Sequence, residues 1–398
     1  MSNQTVEHSP HCPTTAGTKY DYHSTPKPTL KKRIIGYDLA RSLAVIGMVF
    51  VNFKIVMGSD QDGPPWLAHL VGLLEGRAAA TFVVLAGAGL SLMSHKGRTQ
   101  NNKVMLAQDR QTLLKRACFL FVIGLLYLPI WPADILHFYG IYIAIAAFLL
   151  ATPTRRLCGY SGSLALLFVM LFFSLNYEQG WNWDTLEYTG LWTPTGMVRR
   201  LFYNGFHPVI PWLAFILLGQ ALGRQDMSNP RIRRRVFYWG AGVAIAAEFT
   251  SWVLIRVLSS GVSLADQEVV VAIFGTKPMP PMPLYILAAA GTACAVIAAC
   301  IALGERFPAN AWLRPFAAMG QLALTLYVAH VVVGMGVLEG IGRLENQSLP
   351  FTLIVATIFC IASLIFAHLW RSQFKRGPIE ALMRILTDPK RPTKKVDI

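Results

Sequence analysis

The sequence predicts an all-α, polytopic integral membrane bundle of about ten transmembrane helices, and three observations carry that prediction. Hydrophobic residues make up 54% of the 398 and charged residues only 14%, against about 25% charged in a soluble domain. Mean hydropathy is +0.44. Apolar runs of about 20 residues, the length that crosses a bilayer, recur from Leu43 to near the end of the chain and leave no room for a separate soluble domain.

Residues 1–30 are polar and rich in Pro, Ser and Thr, which predicts a disordered cytoplasmic tail. The first apolar stretch lies too far in for a signal peptide and lacks a small-residue cleavage site, so it reads as an uncleaved anchor. Residues 31–372 form the bundle, with spans predicted over 37–57, 77–94, 114–131, 134–152, 159–176, 207–223, 236–258, 284–304, 314–338 and 350–369. Residues 373–398 form a cytoplasmic C-terminal segment. No internal repeat and no pair of broken helices in matching halves is visible, which speaks against a secondary transporter.

The net charge of +15 invites a nucleic-acid reading, but the cations fall in blocks between apolar runs. With ten spans, 28 Lys and Arg lie on one side of the membrane and 4 on the other. Such asymmetry places both termini in the cytoplasm and the protein in the inner, cytoplasmic membrane. It excludes nucleic acid as a partner. On the opposite side, the stretch 177–206 holds Trp181, Trp183, Tyr188 and Trp192 with the acids Glu178, Asp184 and Glu187. These form either an interfacial aromatic belt or a platform for a polar acceptor such as a sugar.

Ionisable groups inside an apolar span cost roughly 2.5–3.5 kcal/mol on insertion scales, so each requires a partner or a task. Asp38 and Arg41 are three residues apart, on one helix face, and can pair; alternatively both sit at the interface and set orientation. Asn52, His69, Arg77, Asp134, His137, His207 and His330 all fall toward the outer leaflet. In WPADILHFYG, Asp134 stands where it can orient His137 as a general base or cap the helix. His207 precedes Pro208, which suits a helix start and either scaffolding or catalysis. Arg77 opens a helix, where a cation opposes the macrodipole; it calls for an anionic partner in Glu75, Asp134 or a ligand.

Phosphate-loop, HExxH and GxSxG signatures are absent, so nucleotide hydrolysis and metalloprotease chemistry have no support. Six cysteines show neither metal nor disulfide spacing and read as small hydrophobes. His8, His11 and Cys12 lie in the tail, which lacks the pre-organisation of a metal site; no metal is expected.

Several phrases together resemble a known pattern: GYDLARSLAVIGMVFVN, EGRAAATFVVLAGAGLSL, DILHFYGIYIAIAAFLL, HPVIPWLAFILLGQALGR, MGQLALTLYVAHVV and GPIEALMRILT. In that order they are similar to the bacterial YeiB-like membrane proteins and the related heparan-alpha-glucosaminide N-acetyltransferase-like proteins, over Arg33 to Thr387. The resemblance implies a transmembrane acyltransferase that takes an acyl group from acetyl-CoA or another acyl-CoA, with no bound cofactor, to a hydroxyl or amine. In the related O-antigen acetyltransferases an arginine of the first span is followed, after ten intervening residues, by a catalytic histidine. Arg41 matches that arginine and Asn52 stands at the histidine position. The heparan enzyme also has asparagine there and is thought to use a histidine of the following luminal segment, for which His69 is the positional match.

Two classes of function follow, with a non-catalytic scaffold as a third. In an acyltransferase, Asp38 and Arg41 organise the donor's cytoplasmic mouth, His137 or His207 is the base, Asp134 orients His137, and Arg77 or Asn52 polarises the thioester oxygen. The expected partners are membrane lipids, acyl-CoA and a small-molecule or glycan acceptor, with homo-oligomerisation left open. In a transporter or flippase for an amphiphilic or lipid-linked solute, the same polar cluster binds without a base.

Overall fold

The computed structural model describes residues 2, 33–59, 63–183, 185–308 and 310–388; the tail expected to be disordered, with His8, His11 and Cys12, lies outside them. From Ile34 onward the regular secondary structure of the described chain is helical apart from one pair of two-residue strands, β1 (Trp181–Asn182) against β2 (Glu187–Tyr188).

Helix α1 (Ile35–Val56) is the axis of the bundle. It packs on α3 (Arg77–Met93), α12 (Pro283–Arg306), α13 (Leu313–Gln321) and α16 (Leu349–Gln373). Between α1 and α3 lies the short α2 (Pro65–Gly72), and α4 (His95–Thr99) follows α3. Helix α5 (Lys103–Tyr127) pairs with α6 (Leu136–Phe148), and α7 (Thr154–Ser174) packs on α9 (Val209–Leu222) beside α3. Helix α8 (Pro194–Arg199) continues as a π-helical turn, Arg200–Asn204. Helix α10 (Pro230–Leu258) packs on α12 and carries the short α11 (Leu264–Phe274). Only 11% of the apolar window is buried in α7 and in α10, against 56% in α1, so those two are peripheral. Their large exposed side chains form the apolar belt of a multi-pass membrane protein.

All ten expected spans fall on helices. Among the described residues, seven helices are long and apolar enough to cross a membrane, and eight if a bent pair counts as one. The remaining two expected spans, 114–131 and 134–152, lie on α5, whose first half carries Lys103, Asp109, Arg110, Lys115 and Arg116, and on α6, only 13 residues long. The count of ten and the orientation of the termini therefore rest on the sequence pattern.

One expected span is broken, and another is preceded by a bend. Pro194–Asn204 and Val209–Leu222 meet at 49°, because Gly205 and Pro208 interrupt the hydrogen-bond ladder. The expected span 314–338 is α13, a break at Leu322, α14 (Ala323–Ala329), a π-helical turn His330–Met335 and α15 (Gly336–Gly340). The break leaves backbone donors of α14 open, and the C-terminal helix α17 (Pro378–Thr387) supplies the acceptor. Glu380 accepts from the backbone N–H groups of Leu324 (2.8 Å) and Thr325 (3.1 Å) and from the Thr325 hydroxyl (2.5 Å).

At its first turns α1 meets its neighbours backbone to backbone. A side chain on Gly320 would collide with the Asp38 carbonyl, so only glycine admits this approach. Further along, Gly76 turns the chain between α2 and α3 with φ +67°. It sends Glu75 and Arg77 to opposite sides, and Tyr285 donates to its carbonyl at 3.2 Å.

Candidate functional site

Where α1 loses its close neighbours, a cavity of ≈ 690 Å³ opens. Its walls come from the second half of α1 (Met48, Asn52, Lys54), from α2 and the start of α3, and from Ala133, Ile135, Phe206, His207, Glu248, Tyr327 and residues 276–279. That volume lies within the range of about 300–1,000 Å³ usual for small-molecule sites.

On one wall Asn52 meets His330 at 2.8 Å. The Nδ1–H of His330 donates to the Tyr327 carbonyl, which leaves Nε2 unprotonated. Nε2 then accepts from the Asn52 amide nitrogen, and Asn52 is also a lining residue of the cavity. His330 itself is fully buried. The π-helical turn that starts at His330 is the local distortion that carries this ring.

A second chain of contacts runs behind the cavity. Asp134 Oδ2 accepts from the backbone N–H of His137 (3.3 Å) and sits 2.9 Å from its Nδ1. Asp134 thus meets both the backbone and the ring of His137, while the residue at the N-cap position of α6 is Ile135. The Tyr327 hydroxyl donates to Asp134 Oδ1 at 3.3 Å, and Arg200 donates to His137 Nε2 at 3.3 Å and to the Pro132 carbonyl at 2.6 Å. Asp134 and His137 are 0% exposed and Arg200 is 1%. His137 therefore belongs to a closed network and does not line the cavity.

His207 does line it. Its ring stands edge-on to Trp212, with centroids 4.6 Å apart, and its Nδ1 is buried without a partner among the described residues. Tyr142 donates to the His207 carbonyl and fixes the backbone at the helix break.

Two ion pairs flank these groups. Lys54 pairs with Glu75. Arg77 pairs with Glu248, which also accepts from Thr276 at 3.0 Å. This corrects the expectation that Glu75 or Asp134 neutralises Arg77: the turn at Gly76 directs Glu75 toward α1 and leaves Arg77 facing α10. His69 is exposed at the cavity rim, with Nδ1 2.6 Å from the Pro65 carbonyl of its own helix.

The remaining predicted residues lie at the other end of α1. Asp38 is 2.9 Å from Arg41, as their spacing predicts, and accepts from Gln321 at 3.2 Å. Arg41 also reaches the Gly320 carbonyl at 3.4 Å and keeps its side chain 29% exposed. Fourteen residues of helix, about 21 Å, separate Asp38 from Asn52.

The aromatic loop is ordered: Trp181 and Trp183 stack with centroids 4.6 Å apart, and Trp181 stands edge-on to Phe206 of the cavity wall. Asp184 lies outside the described residues. Sequence reasoning missed the roles of Arg200, Tyr327 and Glu248. Arg200 counts there as a loop cation, and Glu248 carries a signal in being the lone acid in the apolar run of α10.

Residues 33–251 match the model of a family described as heparan-alpha-glucosaminide N-acetyltransferase, catalytic. Residues 220–390 match a second model, described as a protein of unknown function (DUF418). The "Uncharacterized protein YxaH" of Bacillus subtilis (strain 168) is 22% identical over 419 residues, which cover 92% of this chain and 96% of that protein. The first match contains Asn52, Asp134, His137, Arg200 and His207, and the second contains Tyr327 and His330, so the Asn52–His330 contact joins the two. More than half of the chain lies inside the first match, and this multi-pass membrane protein belongs to the heparan-alpha-glucosaminide N-acetyltransferase catalytic family.

Proposed function

We propose that the protein transfers an acyl group from an acyl-CoA donor to a hydroxyl or amine, with the reacting carbonyl held in the cavity between Asn52 and His207. The observation that carries this reading is that Asn52, held by His330, and His207 line one cavity. His207 takes the proton from the acceptor's hydroxyl or amine as that atom bonds to the thioester carbon. The Asn52 N–H donates to the oxyanion that forms, a contribution of about 2.7–4 kcal/mol for one such donor elsewhere. The carbon–sulfur bond then breaks, and the imidazolium returns its proton to the CoA thiolate.

His330 acts through Asn52 as a positioning residue. Asp134, His137 and Arg200 hold the wall formed by Ala133, Ile135 and Phe206. Arg41 anchors the charged part of the donor from the opposite end. Seven residues, about 10 Å of helix, separate it from Met48, the lowest cavity residue of α1, so the acyl arm has a short distance to bridge.

The test uses protein in nanodiscs with labelled acetyl-CoA. Saturable donor binding that is weakened in Arg41→Ala and kept in His207→Ala, with transfer lost in the latter, supports the reading. A well-folded protein that binds neither acetyl-CoA nor longer acyl-CoAs overturns it and favours a solute-binding role for the same cavity.

A further inference from the structure

Glu248 is held to Arg77 and Thr276 on the rim of the cavity, yet its side chain is 44% exposed. It shares a stripe of α10 with Ile245, Phe249 and Trp252, spaced at three and four residues, and these are 69%, 62% and 57% exposed. They belong to the lipid-facing belt. Along α10, Glu248 lies about 12 Å from Arg256 and about 20 Å from Arg235, the cations that flank the apolar run, and so well inside it. A carboxylate half open to hydrocarbon at that depth is costly, whereas one at a water-filled opening is not. The facing rim has the same double character: Leu73 lines the cavity and is 59% exposed, beside exposed Leu70 and Trp66.

We propose that the cavity opens sideways into the hydrocarbon layer between α2, α10 and residues 276–279, and that the acceptor is the polar head of a membrane-embedded amphiphile. The word acceptor rests on the acyl-transfer reading above; the opening does not. An amphiphile fits both halves of the rim at once. Its head reaches the fixed charges Arg77 and Glu248 and the Asn52 amide, while its chain stays in lipid along Ile245, Phe249 and Leu73. Because the rim charges are already paired with each other, they suit a head that is neutral or zwitterionic, with hydroxyl or amine groups.

Gly72 provides the test. It lines the cavity, and a Cβ placed on it meets no atom within 4 Å, so Gly72→Phe narrows the opening without a clash at the backbone. Gly72→Leu is a smaller obstruction should the larger one lower the yield of folded protein. Wild type and variants in nanodiscs are photolabelled with phosphatidylethanolamine bearing a diazirine on its head group, and the labelled peptides are mapped. Labelling within Asn52–Ile55 and Leu73–Ala79, reduced at least fivefold in a Gly72 variant, is the expected result. Labelling confined to the two ends of the bundle, or equal in wild type and variants, overturns the proposal.

A parallel assay measures acetyl transfer to an amine-bearing lipid and to water-soluble glucosamine. Cavity labelling with no transfer to either upholds the opening and removes the acyl-transfer reading. Transfer to glucosamine that a Gly72 variant leaves unchanged, without cavity labelling, keeps that reading and removes the opening.

Discussion

Helix α1 carries a polar cluster at each end, and the two are built oppositely. At Asp38 and Arg41 the helix touches Gly320 backbone to backbone, and the ion pair closes a seam between helices. At Asn52 the same helix stands back from its neighbours, and its polar groups surround a cavity of ≈ 690 Å³. In-span polarity thus serves two purposes in one helix. Near the first end Asp38 is neutralised by Arg41 of its own helix turn and accepts a hydrogen bond from Gln321; near the second, each cation reaches an acid on another element, Lys54 on Glu75 and Arg77 on Glu248. The pairs at the open end brace the walls apart, whereas the pair at the closed end sits inside the joint.

The largest expected effect compares the two acids. Asp134→Ala leaves His137, Tyr327 and Arg200 buried around a missing carboxylate and costs about 3–5 kcal/mol. Asp38→Ala costs less, about 1–2 kcal/mol, because Arg41 is 29% exposed and can rehydrate. Denaturant titration of the two variants in one detergent checks the order, and equal losses would dissolve the contrast between a network with no exposed member and a pair whose arginine reaches solvent.

Next comes Asn52→Ala, expected to lower acyl transfer about 100-fold or more with donor binding kept. Asn52→Asp tests the same point without a change of size. It replaces the donor with an acceptor and fails equally, whereas activity retained in either variant would remove Asn52 from the reaction.

Gly320→Ala follows, with a destabilisation of about 1–3 kcal/mol from overpacking against the Asp38 carbonyl. Gly72→Ala, at the open end, changes stability by less than about 0.5 kcal/mol. Thermal unfolding of the pair reads the difference directly. The smallest effect belongs to His69→Ala, within about twofold of wild type in transfer, since the ring is exposed and contacts its own helix. A large loss there would move the catalytic edge from His207 to the rim.

Local relations were the legible ones. The three-residue spacing of Asp38 and Arg41 and of Asp134 and His137 put each pair in contact as expected. Apolar run length located helices at all ten expected spans. Relations across the fold were hidden. Asn52 and His330 are 278 residues apart, and Arg77 and Glu248 are 171 apart, so no periodicity links them. The nearest acid in sequence, Glu75, was the natural candidate for Arg77, and a single left-handed glycine turned it away. The broken span escaped for a related reason: Leu322 looks like any apolar span residue, and what permits a break there is an acceptor from the far end of the chain.

That acceptor sets the order in which the molecule can be completed. Leu324 emerges from the ribosome 56 residues before Glu380, which at about 5–20 residues per second amounts to roughly 3–11 s. For that interval the interrupted span, with Tyr327 and His330 on it, lacks the carboxylate that receives its backbone donors. The break before Tyr327 and His330 is therefore capped late, by the last helix of the described residues. A chain terminated before residue 380 would keep every apolar span and still lack the cap on the segment that carries Tyr327 and His330.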